Sequence, residues 1–454
     1  MKKKYVRWTL WTIASPFILF IILCILIYLP PIQNFLVDKA AVYASEATGM
    51  NISVGRISLS FPLNLVVTNV DAASPHNDTL LSVRRLQVNV QLLPLLKKQV
   101  EVDGISLQGA TVNSNDLIHG MKLNGTLGEL FISSHGVALD PETAIVNKVL
   151  LKDTDLSLCL NDTAAADTAA SDTTYWKIIL QDIDLQNVSF ALDMPLDSLS
   201  LAASLDNAIL RDGLIDLHKS AYSLQTFRIK NGRVRYDSGK PLAADSLPSG
   251  LDPSHIALTD IGVKLDSLYY GGRNMKAIIS QFVLKERSGV EIVSATGRMV
   301  SNDKVLRVPS LKLETRDSYL ELNAAMDWNA LDFKDEGLVS ARLMADIGKP
   351  DVVRFMGSMD EKFIRQYPSE PLRIRTGIDG DLNKLKLTTL TAELPGALGL
   401  FARGELTHLT DSLLRGGDIT LEAETKDLKF VSTLAEGIEI PYGTRLEGKF
   451  TMAG

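Results

Sequence analysis

The sequence predicts a mainly β protein carried on one N-terminal transmembrane helix, with its strands stacked as an irregular, solenoid-like repeat and one amphipathic helix inserted. Three observations carry that prediction. A charge-free apolar run opens the chain, apolar and polar residues alternate from Asn51 onward, and a short unit with fixed apolar offsets recurs along the alternation. At 454 residues the chain exceeds the ~250–300 that one core serves, so an open repeat or several domains is expected. A hydrophobic fraction of 46% excludes a disordered chain, and a net charge of −7 argues against nucleic acid as the main ligand.

Residues 1–7 are a basic tail, with Lys2, Lys3, Lys4 and Arg7. From Trp8 to Val37 no residue is charged, and Leu10 to Leu29 supplies the ~20 apolar residues that cross a bilayer. The span is therefore placed at 8–31, with Trp8, Trp11 and Tyr28 at its interfaces and Pro16 as a tolerated kink. The lysines set the N-terminus in the cytoplasm and everything after the span on the other side. A cleaved signal peptide is the rival reading, but Pro30-Pro31 follows the span, and the nearest small-residue site, Val42-Tyr43-Ala44, lies well beyond it. Cys24 lies inside the apolar run and does not read as a lipoprotein site. Residues 32–49 read as a short amphipathic helix ended by Gly49, with Ile32, Phe35, Leu36, Ala40, Tyr43 and Ala47 on one face. It either caps the strands that follow or lies against the membrane as a collar; the cap is preferred.

From residue 50 to 160 the period is two, as in Ile52-x-Val54, Leu63-x-Leu65-x-Val67 and Leu86-x-Val88-x-Val90. Ile105, Leu107, Ala110 and Val112 then set a more specific frame, in which Gln108-Gly109 interrupts the alternation. The same offsets fit Val149 to Leu156 around Lys152-Asp153, Ile183 to Phe190 around Gln186-Asn187, and Phe227 to Val234 around Lys230-Asn231. Leu385 to Ala392, around Thr388-Thr389, is a poorer fifth copy. In four copies the second inserted residue is Gly, Asp or Asn, the types that tolerate a left-handed backbone in two-residue hairpins and bulges. A two-residue corner would keep Leu107 and Ala110 on one face. Units starting at 105, 149, 183 and 227 favour a stack over unrelated hairpins.

Residues 161–174 (NDTAAADTAASDTT) form a low-complexity, solvated loop, and Asp237 to Ser254 forms another long loop. The first β-repeat groove region therefore runs over 175–348. Residues 349–367 hold one helix, with Pro350 in its first turn and Val352, Met356, Met359 and Phe363 as a stripe. That stripe is expected to cover a sheet edge. The β pattern resumes over 368–454, and the chain is expected to be the front part of a longer protein.

Little in the sequence points to catalysis or metal binding. Cys24 and Cys159 cannot build a disulfide framework or a four-ligand zinc site, and the six histidines are scattered singly. Gly443 to Phe450 approaches a phosphate loop, but Phe450 stands where Ser or Thr is required. No nucleophile elbow or zinc-protease pair occurs. The reading is a non-enzyme with no cofactor or metal. Asp followed by Ser or Thr recurs, and starts Asx turns. It also resembles the acceptor motif of bacterial O-glycosylation, for which Thr163, Thr168 and Thr173 are the candidates.

The N-terminal order adds a resemblance. Basic residues, one span and a short helix lead into Thr48-Gly49-Met50-Asn51-Ile52-Ser53-Val54-Gly55; Leu80-Leu81-x-Val83, Leu92-Leu93-Pro94-Leu95-Leu96 and Val102-x-x-Ile105-x-Leu107-x-Gly109-Ala110 follow. Over about the first 115 residues this resembles the AsmA-like superfamily, especially its TamB branch, although the closing domain typical of that branch is not present. The resemblance implies an inner-membrane anchor in a Gram-negative bacterium and an elongated, curved β-sheet groove, a β-taco-like repeat stack, in the periplasm. It also implies phospholipid transport to the outer membrane, outer-membrane biogenesis and an outer-membrane β-barrel partner. A scaffold or chaperone subunit for outer-membrane protein assembly and secretion is the alternative. The candidate lipid-groove lining is Leu107, Val112, Leu185, Phe190, Ile229 and Val234.

Overall fold

The computed structural model describes residues 39, 41–42, 45–46, 48–60, 64–74, 78–91, 102–114, 120–138, 142–161, 175–240, 250–334, 337–356, 360–433 and 441–452. The basic tail, the expected membrane span and almost all of the 161–174 loop, with Thr163, Thr168 and Thr173, lie outside these residues. Among the described residues no helix is long and apolar enough to cross a membrane. Those between 39 and 48 are helical, where a short helix is expected. Beyond them the protein is mainly β and divides into two units, one comprising residues 1–173 and 178–196, the other 174–177 and 197–454.

The first unit holds β1 (Asn51–Ser60), β2 (Asn64–Ala73), β3 (Thr79–Val90), β4 (Val102–Asn113), β5 (Met121–Ala138), β6 (Thr143–Leu160) and β7 (Lys177–Met194). From β1 to β6 each strand pairs antiparallel with the next. Along one line the register steps over a residue on both sides: Gly55 opposite Asn69, Arg84 opposite Gly109, and Gly128 opposite Asp153. Asn69, Gly109 and Asp153 have φ of 52°, 62° and 50°, and a Cβ on Gly128 would stand 2.8 Å from that of Asp153. These are β-bulges inside continuous strands. The inserted residues of the repeat unit are therefore not hairpin corners: they shift the pleat by one residue, bend the strand and return the apolar side chains to their original face.

β6 and β7 break the antiparallel rule. Asn147 donates to Gln181 at 2.8 Å, Asn187 to Asp153 at 2.9 Å and Ser189 to Asp155 at 2.8 Å, each pair 34 residues apart. A constant difference in number, rather than a constant sum, is the mark of parallel strands. Parallel neighbours need a long crossover, and sixteen residues separate Leu160 from Lys177. The uneven repeat spacing follows. Between the units at 105 and 149 a return strand, β5, intervenes, whereas between those at 149 and 183 no return strand occurs among the described residues.

The second unit holds β8 (Leu199–Asp216), β9 (Ala221–Leu224), β10 (Thr226–Ser238), β11 (His255–Gly271), β12 (Asn274–Glu286), β13 (Glu291–Ser301), β14 (Val305–Thr315) and β15 (Tyr319–Asp327). After α1 (Trp328–Leu331) come β16 (Leu338–Ile347), α2 (Lys349–Phe355), α3 (Glu361–Gln366), β17 (Leu372–Asp381), β18 (Lys384–Leu394), β19 (Leu398–Thr407), β20 (Gly416–Thr425) and β21 (Arg445–Met452). β9 and β10 act as one interrupted strand between β8 and β11. From β11 each strand pairs antiparallel with its successor to β21.

The helix expected over 349–367 is two short helices. Asp360 caps α3 by accepting from the Lys362 N–H at 2.8 Å, which starts a new helix rather than extending α2. Phe363 and Tyr367 pack with Leu394, Ala397, Leu428 and Phe430, and Val352 joins them from α2. Met356 is exposed, and Met359 lies outside the described residues. These contacts fall on the ends of β17, β18 and β20, so the pair of helices closes a row of strand ends rather than a lateral edge. α2 is fixed by Asp351, which is 1% exposed and accepts from the hydroxyls of Thr315 and Ser318 and from Arg354. Burial works against the Arg354 charge, but Asp317 and Asp351 outweigh it and hold the guanidinium above its usual range. At the other ends of the strands Ala330 of α1 packs with Val339 and Leu382.

Candidate functional site

The registers sort each strand into two faces, and one of them is mostly apolar. In the first unit a row runs from Ile57 through Val67, Leu86, Leu107 and Leu130 to Leu151. The 34-residue offset of β7 adds Leu185. A parallel row beyond the bulges runs from Ile52 through Ala72, Leu81, Val112 and Gly125 to Leu156, and the same offset adds Phe190. Leu107 thus shares a row with Leu185, and Val112 with Phe190. Without the bulges these rows would lie on opposite faces.

The second unit repeats the arrangement over more strands. Ala208, Ile229, Val263, Phe282 and Ala295 are successive register partners from β8 to β13. The row continues through Leu313, Leu320, Ala345 and Ile374 to Ala392, Leu400, Ala423 and Leu446 on β21. Its neighbour starts at Leu210 and Phe227 and passes Leu265, Ile279, Leu311, Leu322 and Leu343. Ile229 lies in the first of these rows. Val234 lies beyond the bulge, beside Ala203 and Leu258. The opposite face reads Lys312, Glu321, Met344, Arg375, Thr391, Phe401 and Glu422, which is mostly polar.

Burial shows how the apolar face is packed. In the long row the fully buried members are small, Ala208, Ala295 and Ala345, whereas Ile229, Phe282, Leu313, Leu320, Ile374 and Leu400 are half-buried. Bulky side chains cover the alanines between them and keep part of their own surface open, as in a single sheet without a second layer. The fully buried residues of the two small clusters lie instead at the strand ends. Within the second unit the apolar face is therefore a continuous strip of partly open hydrocarbon. Sequence reasoning found the strip through its repeat units but missed members such as Phe282, Ile374 and Leu400, whose partners only the register supplies.

The bulges also open two shallow clefts. One, of about 630 Å³, is lined by Arg228, Lys230, Asn231, Asp260 and Lys264, where Asn231 and Asp260 are left-handed. The other, of about 290 Å³, lies beside Thr388 and Thr389 of the fifth repeat copy, with Glu321, Arg342 and Arg375. Thr388 donates to the Gly377 carbonyl at 2.9 Å, and Arg375 is held on Asp346 at 2.7 and 2.9 Å. Among the described residues no three His, Cys, Asp or Glu side chains are grouped to hold a metal ion. Glu286 is buried at the end of β12, where it accepts from the backbone of Ser288 at 2.5 Å and of Ala257 at 3.2 Å. Burial alone would raise its pKa, but the hydrogen bonds from Ser288, Ala257 and Arg287 outweigh it and hold the carboxyl below its usual range. No family model and no curated protein matches the chain.

Proposed function

We propose that this chain is an AsmA-like, TamB-type protein, anchored in the inner membrane of a Gram-negative bacterium with its N-terminus in the cytoplasm. In this reading the periplasmic sheets form an elongated, curved groove whose apolar face carries phospholipid acyl chains toward the outer membrane. No catalytic step or cofactor takes part, and an outer-membrane β-barrel receives the cargo. The observation that carries the reading is the row of apolar residues unbroken from β8 to β21, its alanines buried and most of its larger members half-buried. At ~4.8 Å per strand this row extends on the order of 60 Å. Each methylene laid on it gains ~0.8 kcal/mol, so a chain could move along it without leaving hydrocarbon. The aligned bulges supply the curvature such a groove needs.

A second reading has its own observation. Among the described residues β1 pairs only with β2, and β21 only with β20, which leaves strand edges for a client strand to extend. Photo-crosslinking separates the two. A photoreactive residue at Leu185, Leu313 or Leu400 is expected to trap phospholipid, and one at Lys312 or Thr391 is not. Protein adducts from both faces, without lipid, would replace the conduit with the scaffold.

A further inference from the structure

The larger cleft is built on the face of the second unit that looks away from the apolar strip. Ala208, Ile229, Val263 and Phe282 belong to the strip, so the residues on either side of each point the other way. On β10 these are Arg228 and Lys230, and on β11 they are Gly262 and Lys264. The register sets Ile209, Arg228, Lys264 and Gln281 side by side, and Asn207 beside Lys230. Gly262 is the register partner of Val283, and a Cβ on it would stand 2.8 Å from the Val283 Cγ2, so the floor there is backbone. Three cations, Arg228, Lys230 and Lys264, thus ring a hollow of about 630 Å³, within the ~300–1,000 Å³ of small-molecule sites.

The positive charge around this hollow is uncompensated. Arg228 and Lys264 are direct register partners, and like charges so placed destabilise a sheet. Arg228 and Lys230 make no hydrogen bond or ion pair among the described residues, and Lys264 reaches Asp266 only at 4.0 Å. The nearby carboxylates are engaged elsewhere: Asp260 takes Lys285 at 2.8 Å, Asp206 accepts from Asn231, and Asp266 accepts from Ser280. A chain of net charge −7 has carboxylates in excess, yet sets none against Arg228. We propose that the cleft binds a phosphate-bearing ligand, whose phosphate lies between Arg228, Lys230 and Lys264. A phosphate brings close to two charges and three strong acceptor oxygens to one point, whereas a carboxylate brings one charge and two oxygens. Ile209 and Val283 give the carbon body of the ligand an apolar wall, and the Gln281 amide faces its hydroxyl groups. A lipid headgroup and a free phosphate ester share this chemistry. The cleft and the strip lie on opposite faces, so the proposal does not rest on the conduit reading.

The test uses the full chain in an uncharged detergent at low ionic strength, with glycerol 3-phosphate and dihexanoyl phosphatidylglycerol as probes in equilibrium dialysis. Glycerol 3-phosphate is expected to bind, and Arg228→Gln to weaken it about tenfold. Gln281→Glu sets a carboxylate beside Lys264 and is expected to weaken binding by as much. Lys386→Gln, which removes an exposed cation from β18, is expected to leave binding unchanged. Without ligand, Arg228→Gln and Gln281→Glu should melt at or above the parent's midpoint, because each relieves the like-charge pair. Saturating probe should raise the parent's midpoint and leave theirs nearly unmoved. Dihexanoyl phosphatidylglycerol bound with the same dependence on Arg228 would make the ligand a lipid headgroup, and glycerol 3-phosphate bound alone a free phosphate ester. The proposal is overturned if neither probe binds in a way that depends on Arg228, if Lys386→Gln weakens binding as much as Arg228→Gln, or if an oligoglutamate peptide displaces both probes.

Discussion

Asn187 holds φ at 52° and donates to Asp153 on the neighbouring strand at 2.9 Å. A β-branched side chain in that conformation costs roughly 1–2 kcal/mol, so Asn187→Val should lower the unfolding free energy measured in urea by about that amount. Asn187→Gly keeps the conformation and loses an exposed hydrogen bond, and should fall within about 0.5 kcal/mol of the parent. Glu286 gives a pH signature. Its folded pKa lies below the ordinary 4.5, so its contribution is fully present above that value and is lost as pH falls through the lower, folded one. Glu286→Gln should therefore be less stable than the parent at neutral pH, with the difference closing as pH falls below 4.5 in thermal scans. At this scale the sequence is readable where geometry restricts residue type. Gly109, Asp153, Asn187 and Asn231 stand out by residue type in the repeat frame, and all have φ near 50–62°. Asn69, Asp212 and Asp260 are equally left-handed but fall outside the repeat frame.

The strands are legible because a half-buried strand alternates, and nothing else in this chain sustains a period of two. Their connections are not. An inserted pair such as Lys152-Asp153 satisfies a hairpin and a bulge alike; only the partner strand, stepping over Gly128, decides. The split between α2 and α3 had a signal in Gly357-Ser358 followed by Asp360, a break and then a cap, beneath the stripe of apolar residues. Phe363 is 2% exposed between Tyr367 and Phe430, with ring centroids 5.5 and 5.9 Å away. Phe363→Ala should cost about 3–5 kcal/mol. Faster hydrogen exchange is expected in 349–366 and 428–433, with β1 to β6 unaffected.

Across each unit the apolar strip depends on register more than on any one residue. Leu313→Asn with Leu400→Asn changes two half-buried side chains about five strands apart and should leave the thermal midpoint within about 2 kcal/mol of equivalent stability. If the strip carries acyl chains, the same pair should abolish co-purifying phospholipid in mass spectrometry of the full chain. Unchanged lipid would remove the strip from that role. The sequence disclosed that one face of each strand was apolar, because the alternation is local. It could not disclose that Ala295, Leu313 and Leu320 adjoin, because pairing lies in the turns and bulges between them.

The parallel step at β6 and β7 has a mechanical consequence. In an antiparallel hairpin, tension on the two chain ends opens the ladder one bond at a time, from the free end toward the turn. Where parallel neighbours follow one another, tension applied before the first and after the second acts at opposite ends and loads every bond of the ladder together. In optical-tweezer traces with handles at Glu142 and Pro195, this joint should yield at a higher force than handles flanking β4 and β5. Under tension the chain would then peel up to β6 and hold there.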